Sequence, residues 1–195
     1  MGSGQGSDQV GGQVGGKVSG LRQRLQWDAE QGTVQDGPRR YLLMRPDVLM
    51  GAIAALDLPA QAAMFDALAI STQQHGARSL QAYAEQAPGD DEALMAATIH
   101  AAADLGWGRW VISRDGPQSL ALEVSDSPFV AGWRAATQID AGRLIDGTVC
   151  APIRGMFSAL AQIVLNAPVQ VQVQECRCAV DVGALPCRFV ARVQA

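Results

Sequence analysis

Four cysteines, Cys150, Cys176, Cys178 and Cys187, fall within the last 46 residues of a 195-residue chain. Thiols clustered where no secretory leader is visible are more often metal ligands or reactive groups than disulfides. The C-x-x-C pairs of simple zinc ribbons are missing. Instead Glu175 stands directly before a C-x-C, Cys176-Arg177-Cys178. On a regular strand Cys176 and Cys178 share a face and Glu175 points away. A strand that curls after Glu175 brings Glu175 and Cys178 to one point. Gly183 predicts a turn that returns Cys187 beside that strand, and Cys150 arrives from just before a helix that opens at Arg154. Three thiolates with one carboxylate, or four thiolates, would then form a tetrahedral site at one end of a sheet. Zinc (Zn2+) is the ion such donors suit. The plainer reading is that small buried cysteines are core residues.

Other reactive combinations are thin. Two histidines and no G-x-S-x-G leave serine catalysis without its machinery. Neither a Walker lysine nor a dinucleotide fingerprint follows a predicted strand. Trp107, Trp110 and Phe129 are aromatic groups that can wall a flat apolar ligand, although the same residues serve any core. Met44, Met50, Met64, Met95 and Met156 would give such a wall adaptability, or fill gaps. These residues point to a binding module rather than an enzyme.

The elements that must position them are legible in outline. Residues 1–20 hold 8 of the 21 glycines and predict a flexible leader, with a structured domain over 21–195. Tyr41 to Met44 reads as a short strand. Pro46-Asp47 opens a helix with Val48, Leu49, Ile53 and Leu56 inward. A longer helix over 60–86 places Met64, Phe65, Leu68 and Ile70 at helical spacing, and Gly76 divides it. Asp90 caps a helix that runs to Leu105, with Leu94, Met95, Thr98, Ile99 and Ala102 inward. Residues 107–113 and 120–124 pair as a hairpin around Asp115-Gly116-Pro117. Residues 125–149 are irregular, with a short helix over 129–137. A helix over 154–166 follows. Val169, Val171 and Val173 alternate with glutamines as a half-buried strand, and Cys187 to Val193 is the last strand. The fold class is α+β: helices fill the first half, and about four antiparallel strands, interrupted by one helix, fill the second.

Composition sets outer limits. Apolar residues make up 48% and charged residues 17%, which excludes wholesale disorder. A net charge of -4 and a pI near 5.1 argue against a nucleic-acid surface. No apolar run is long enough for a membrane span, and no basic-then-apolar start marks a signal peptide, so a cytoplasmic protein is expected.

The segment Glu175-Cys176-Arg177-Cys178, then Gly183, then Cys187-Arg188-Phe189 resembles the C-terminal signature of the 4-vinyl reductase-type domain. Cys150-Ala151-Pro152-Ile153-Arg154-Gly155 is similar to the opening of that family's last helix. Trp107-Gly108-Arg109 and Ser127-Pro128-Phe129 are similar to further parts of such domains. Residues 32–57, with Arg40-Tyr41-Leu42-Leu43-Met44, resemble the N-terminal part of the sensor domains of phenol- and xylene-responsive activators. The resemblance implies an α+β fold also seen in vesicle-tethering subunits, an internal pocket for a small hydrophobic or aromatic molecule, and homodimers. It implies a structural zinc held by Cys150, Glu175, Cys178 and Cys187. The gap from Cys178 to Cys187 is one residue longer than the family pattern, which leaves Cys176 as an alternative to Glu175 or Cys178. It further implies that His100 and Trp133, which fall near a ligand-holding histidine and tryptophan of the aromatic sensors, contact the ligand's polar group. A histidine satisfied by backbone is the plainer account of His100.

Three functions follow as expectations. The first is a stand-alone binding or sensor module with structural zinc. The second is an accessory subunit in tetrapyrrole vinyl-group reduction. The third is a dimeric scaffold module.

Overall fold

Short polar strands, amphipathic helices and a valine-rich C-terminal third give each part of the chain a different structure. The computed structural model describes residues 20–138, 147–175 and 186–194, with only the backbone at 147, 148 and 172–175. The expected leader lies outside the described residues except for Gly20, and so do Cys176, Cys178 and Gly183.

After a short helix, α1 (Leu21–Arg24), come three strands, β1 (Gln26–Asp28), β2 (Thr33–Asp36) and β3 (Arg39–Tyr41). They form an antiparallel sheet in the order β1-β2-β3. The strand expected over Tyr41 to Met44 therefore ends where it was to begin. Leu42, Leu43 and Met44 run on as an exposed apolar segment.

Helix α2 (Pro46–Ala54) starts on its proline, where the missing N–H costs no helical bond. Met50 and Ile53 are its buried residues. Val48, expected inward, is exposed because the helix packs chiefly on one side, against α5 (Pro128–Thr137), and Leu56, also expected inward, lies in the turn after the helix and is exposed.

Helix α3 (Leu58–Ala84) is capped by Asp57, whose carboxylate accepts from the Ala60 N–H at 2.9 Å. Gly76 does not divide it. The missing side chain is filled by Met156, whose Sδ lies 2.8 Å from where a Cβ would stand. Phe65, Ala69, Gly76 and Leu80 form the buried stripe, while Met64 and Ile70 face outward. Small residues in that stripe admit α6 (Ala151–Val164), the main partner of α3.

Helix α4 (Asp91–Asp104) is capped by Asp90, which accepts from the Ala93 N–H at 2.9 Å. The expected hairpin follows as β4 (Arg109–Arg114) and β5 (Ser119–Ser125). A 3-10 turn over Gly147–Cys150 leads into α6. Strands β6 (Val169–Glu175) and β7 (Cys187–Val193) complete an antiparallel sheet in the order β4-β5-β7-β6. Helix α6 lies between α3 and the β6–β7 side of this sheet, and its Phe157 and Leu160 are fully buried. The expected α+β architecture is the one observed. No described helix is long and apolar enough to cross a membrane.

Candidate functional site

The turn from α4 into β4 sets the site. Gly108 has φ +88, and a Cβ there would sit 2.5 Å from the Ser125 carbonyl oxygen. Only glycine meets both conditions without strain. The chain is thereby pinned against the end of β5, with Trp107 directed between the small sheet and the helices. Trp110 Nε1 donates to the Trp107 carbonyl at 3.0 Å, which ties the two indoles together. Phe129 meets the Trp107 ring edge-to-face, with centroids 5.4 Å apart.

On one side of Trp107 is a hollow of about 60 Å³. Leu80, Tyr83, Leu105, Trp110 and Met156 are among its lining residues. Two of its polar groups are already engaged: Thr98 Oγ1 donates to the Leu94 carbonyl, and Tyr83 OH accepts from Arg24. A benzene-sized guest occupies a cavity of roughly 150 Å³. The hollow therefore admits one ring only if a wall moves, and Met156, unbranched and flexible, is the wall best able to do so. On the other side lies an open groove of about 680 Å³ between the small sheet, α2 and α5. Trp27, Leu43, Met44, Leu49 and Phe129 line it. Tyr41, Leu105 and Trp107 border both spaces.

Tyr41 supplies a polar group at this boundary. Burial, reinforced by the negative charge of Asp36, pushes its phenol above the ordinary range. It stays a neutral hydroxyl, able to donate. Asp36 is itself held by Arg24 at 3.3 Å, and the Arg24 guanidinium lies over the Tyr83 ring.

The expected site residues thus divide. Trp107, Trp110 and Phe129 come together around the hollow and groove. Trp133 does not border either space; its ring packs on Phe65 at 5.6 Å. His100 is exposed on α4 and borders neither. Of the five methionines named as an adaptable wall or gap fillers, Met156 lines the hollow and Met44 the groove. Tyr41 and Tyr83 also line the hollow but were not singled out for it, since pocket position depends on packing rather than spacing.

The two described cysteines do converge. Cys150 and Cys187 are buried, with sulfurs 3.6 Å apart, and Ser127 Oγ lies 3.6 Å from Cys150 Sγ. Cys187 is disulfide-bonded, and 3.6 Å is too long for that bond to run to Cys150. The Glu175 backbone pairs with Arg188, beside Cys187, after a register shift between Val173 and Glu175. Cys178 lies outside the described residues. Among the described residues no group of three or more His, Cys, Asp or Glu is placed to hold a metal.

No protein-family model matches the chain, and no curated protein sequence does. The fold is similar to that of the phenol-responsive sensory domain of the transcription activator PoxR, solved with phenol. The likeness has a TM-score of 0.68 at 15% identity, over 89% of this chain and 86% of that one. The chain therefore has the fold of a sensory domain.

Proposed function

We propose that the chain is a small-molecule binding or sensor module of the 4-vinyl reductase type, for a small hydrophobic or aromatic compound, acting in the cytoplasm. The observation that carries this reading is the position of Trp107, a shared wall between a small apolar hollow and a larger groove. Such a hollow, with one or two polar groups at its edge, is how proteins hold small apolar ligands. The likeness to a phenol sensory domain supports the same reading.

Structural zinc belongs to the proposal. A tetrahedral site with Zn–S bonds of about 2.3 Å spaces its sulfurs about 3.8 Å apart. The Cys150–Cys187 separation of 3.6 Å fits that spacing. Glu175 and Cys178 would supply the other donors, and Cys187 would have to be reduced. Bound there, the ion would tie the start of α6 to the central strand β7.

A dimeric module is a second reading, favoured by one observation. Trp27, Leu42, Leu43, Met44 and Val48 are exposed within a short stretch of chain. The tetrapyrrole-accessory reading is weaker, because a macrocycle far exceeds the hollow of about 60 Å³.

Thermal shift with phenol and toluene tests the ligand reading. A compound at a hundred times its Kd stabilises the fold by about 2.7 kcal/mol, a readily measured rise in Tm. Trp107→Ala should weaken binding at least tenfold, about 1.4 kcal/mol. Met156→Ala should tighten it by enlarging the hollow, even as the unliganded fold loses stability. Binding indifferent to both substitutions would place the ligand elsewhere.

A further inference from the structure

Gly76 lies within α3 and is buried. Its backbone is ordinary helix, with no left-handed φ to require glycine. Glycine there weakens the helix relative to alanine. One side chain accounts for it. A Cβ at Gly76 would stand 2.8 Å from both Sδ and Cε of Met156. Outside the adjoining helix backbone and the two flanking residues, no other described atom lies within 4 Å of that point. Gly155 differs, since its Cβ would meet the backbone of α3 at the Ala69 carbonyl. Gly155 lets two helices approach, whereas Gly76 houses the end of one thioether.

That thioether belongs to a wall of the hollow. Met156 lines it, and so do Ser79, Leu80 and Tyr83, which stand three, four and seven residues beyond Gly76. Those spacings place all three along the side of α3 that carries Gly76. Gly76 itself does not line the hollow. The recess at Gly76 and the hollow are therefore neighbours along one side of α3, divided by the end of Met156.

The energetics of this partition are simple. With the thioether housed at Gly76 the hollow is about 60 Å³. One benzene-sized ring, which fills a cavity of roughly 150 Å³, already requires it to expand. A methyl group in the recess would displace the sulfur and its methyl, because an unbranched thioether yields more easily than helix backbone. The hollow is the empty space that Met156 borders, so the displaced atoms would take the room that a ring needs. Cutting the thioether away would have the opposite effect and join the recess to the hollow. We propose that Gly76 and Met156 act as a pair to set ligand size, so that the hollow accepts compounds of one six-membered ring and excludes fused rings. Gly76 is thus a specificity-determining residue that acts through Met156. This inference rests on the binding-module reading and narrows it to a size class.

Phenol and 1-naphthol, one ring against two, are the probes, applied to the full chain by calorimetry and thermal shift. Wild type should bind phenol at least tenfold more tightly than 1-naphthol. Gly76→Ala should weaken phenol binding at least tenfold. Met156→Ala should bind 1-naphthol at least as tightly as phenol. Gly76→Ala combined with Met156→Ala should restore phenol to wild-type affinity or better. A merely structural fault at Gly76 would not be rescued by removing still more packing, so the double variant separates the two roles. If Gly76→Ala does not fold, the double variant decides: wild-type affinity for phenol supports the inference, and its loss overturns it. Phenol binding unchanged in Gly76→Ala, or a wild type that holds 1-naphthol as tightly as phenol, would overturn it and leave the binding-module reading standing. If wild type binds neither compound, both fail.

Discussion

At the scale of single residues, the sulfurs of Cys150 and Cys187 meet from the start of a helix and the start of a strand that are 37 positions apart. Cys150 stands at the N-cap of α6. If zinc is held here, reduced protein prepared with zinc should carry the metal stoichiometrically, as measured by a chelator titration. Cys187→Ser should lose it and lower the Tm, since structural zinc can contribute several kcal/mol, on the order of 5 or more, to a fold. Zinc-free reduced protein, or full zinc in the serine variant, would leave the disulfide as the chemistry of this corner. The approach of Cys187 to Cys150 was expected from the sequence, through the turn read at Gly183 and the family resemblance, whereas Cys176 and Cys178 lie outside the described residues. The burial of Arg134 on α5 was not legible. Arginines are seldom buried, and nothing in Trp133-Arg134-Ala135 separates this one from a solvent-facing residue.

At the scale of elements, α3 and α6 approach closely at Gly155. A Cβ on Gly155 would stand 2.1 Å from the Ala69 carbonyl oxygen and 2.2 Å from Thr72 Oγ1. Gly155→Ala, a favourable change in an isolated helix, should here destabilise by about 2–3 kcal/mol through overpacking. Urea unfolding would show a lower midpoint with an unchanged slope. Gly76→Ala should cost less, because it meets only the flexible end of Met156. Most helices and the β4–β5 hairpin were legible from caps, prolines and periodicity. The misses share a cause. Val48, Met64 and Ile70 have apolar side chains at helical spacing but face outward, since α2 and α3 are covered on one side and the pattern does not say which; Leu56 falls past the end of α2. The strands β1 to β3 are three or four residues long, too short for alternation to register.

At the scale of the whole molecule, the small sheet and the groove beside it present the apolar surface. Trp27 is 65% exposed, Leu42 78% and Leu43 70%. With Met44 and Val48 they form a run of exposed apolar side chains at one face, of the kind that marks a protein contact. A homodimer formed through this face should sediment as one species at micromolar concentration. Leu42→Asp with Leu43→Asp should give a folded monomer with unchanged far-ultraviolet dichroism. Dimers that survive both substitutions would move the interface elsewhere, and a monomeric wild type would remove it. The α+β class was legible because helical and alternating segments occupy separate halves of the chain. The existence of the groove was not, since it depends on where the small sheet stands relative to α2 and α5.

The sheet order has a consequence for biosynthesis. Strand β7 lies between β5 and β6, yet is made after both. While the nascent chain is still on the ribosome, the hairpin and β6 each expose an unsatisfied edge until residues 187–193 have been translated and have cleared the exit tunnel. That interval is when mispairing between neighbouring nascent chains is open, and when a chaperone holding the Val-Gln repeat of β6 would do the most good.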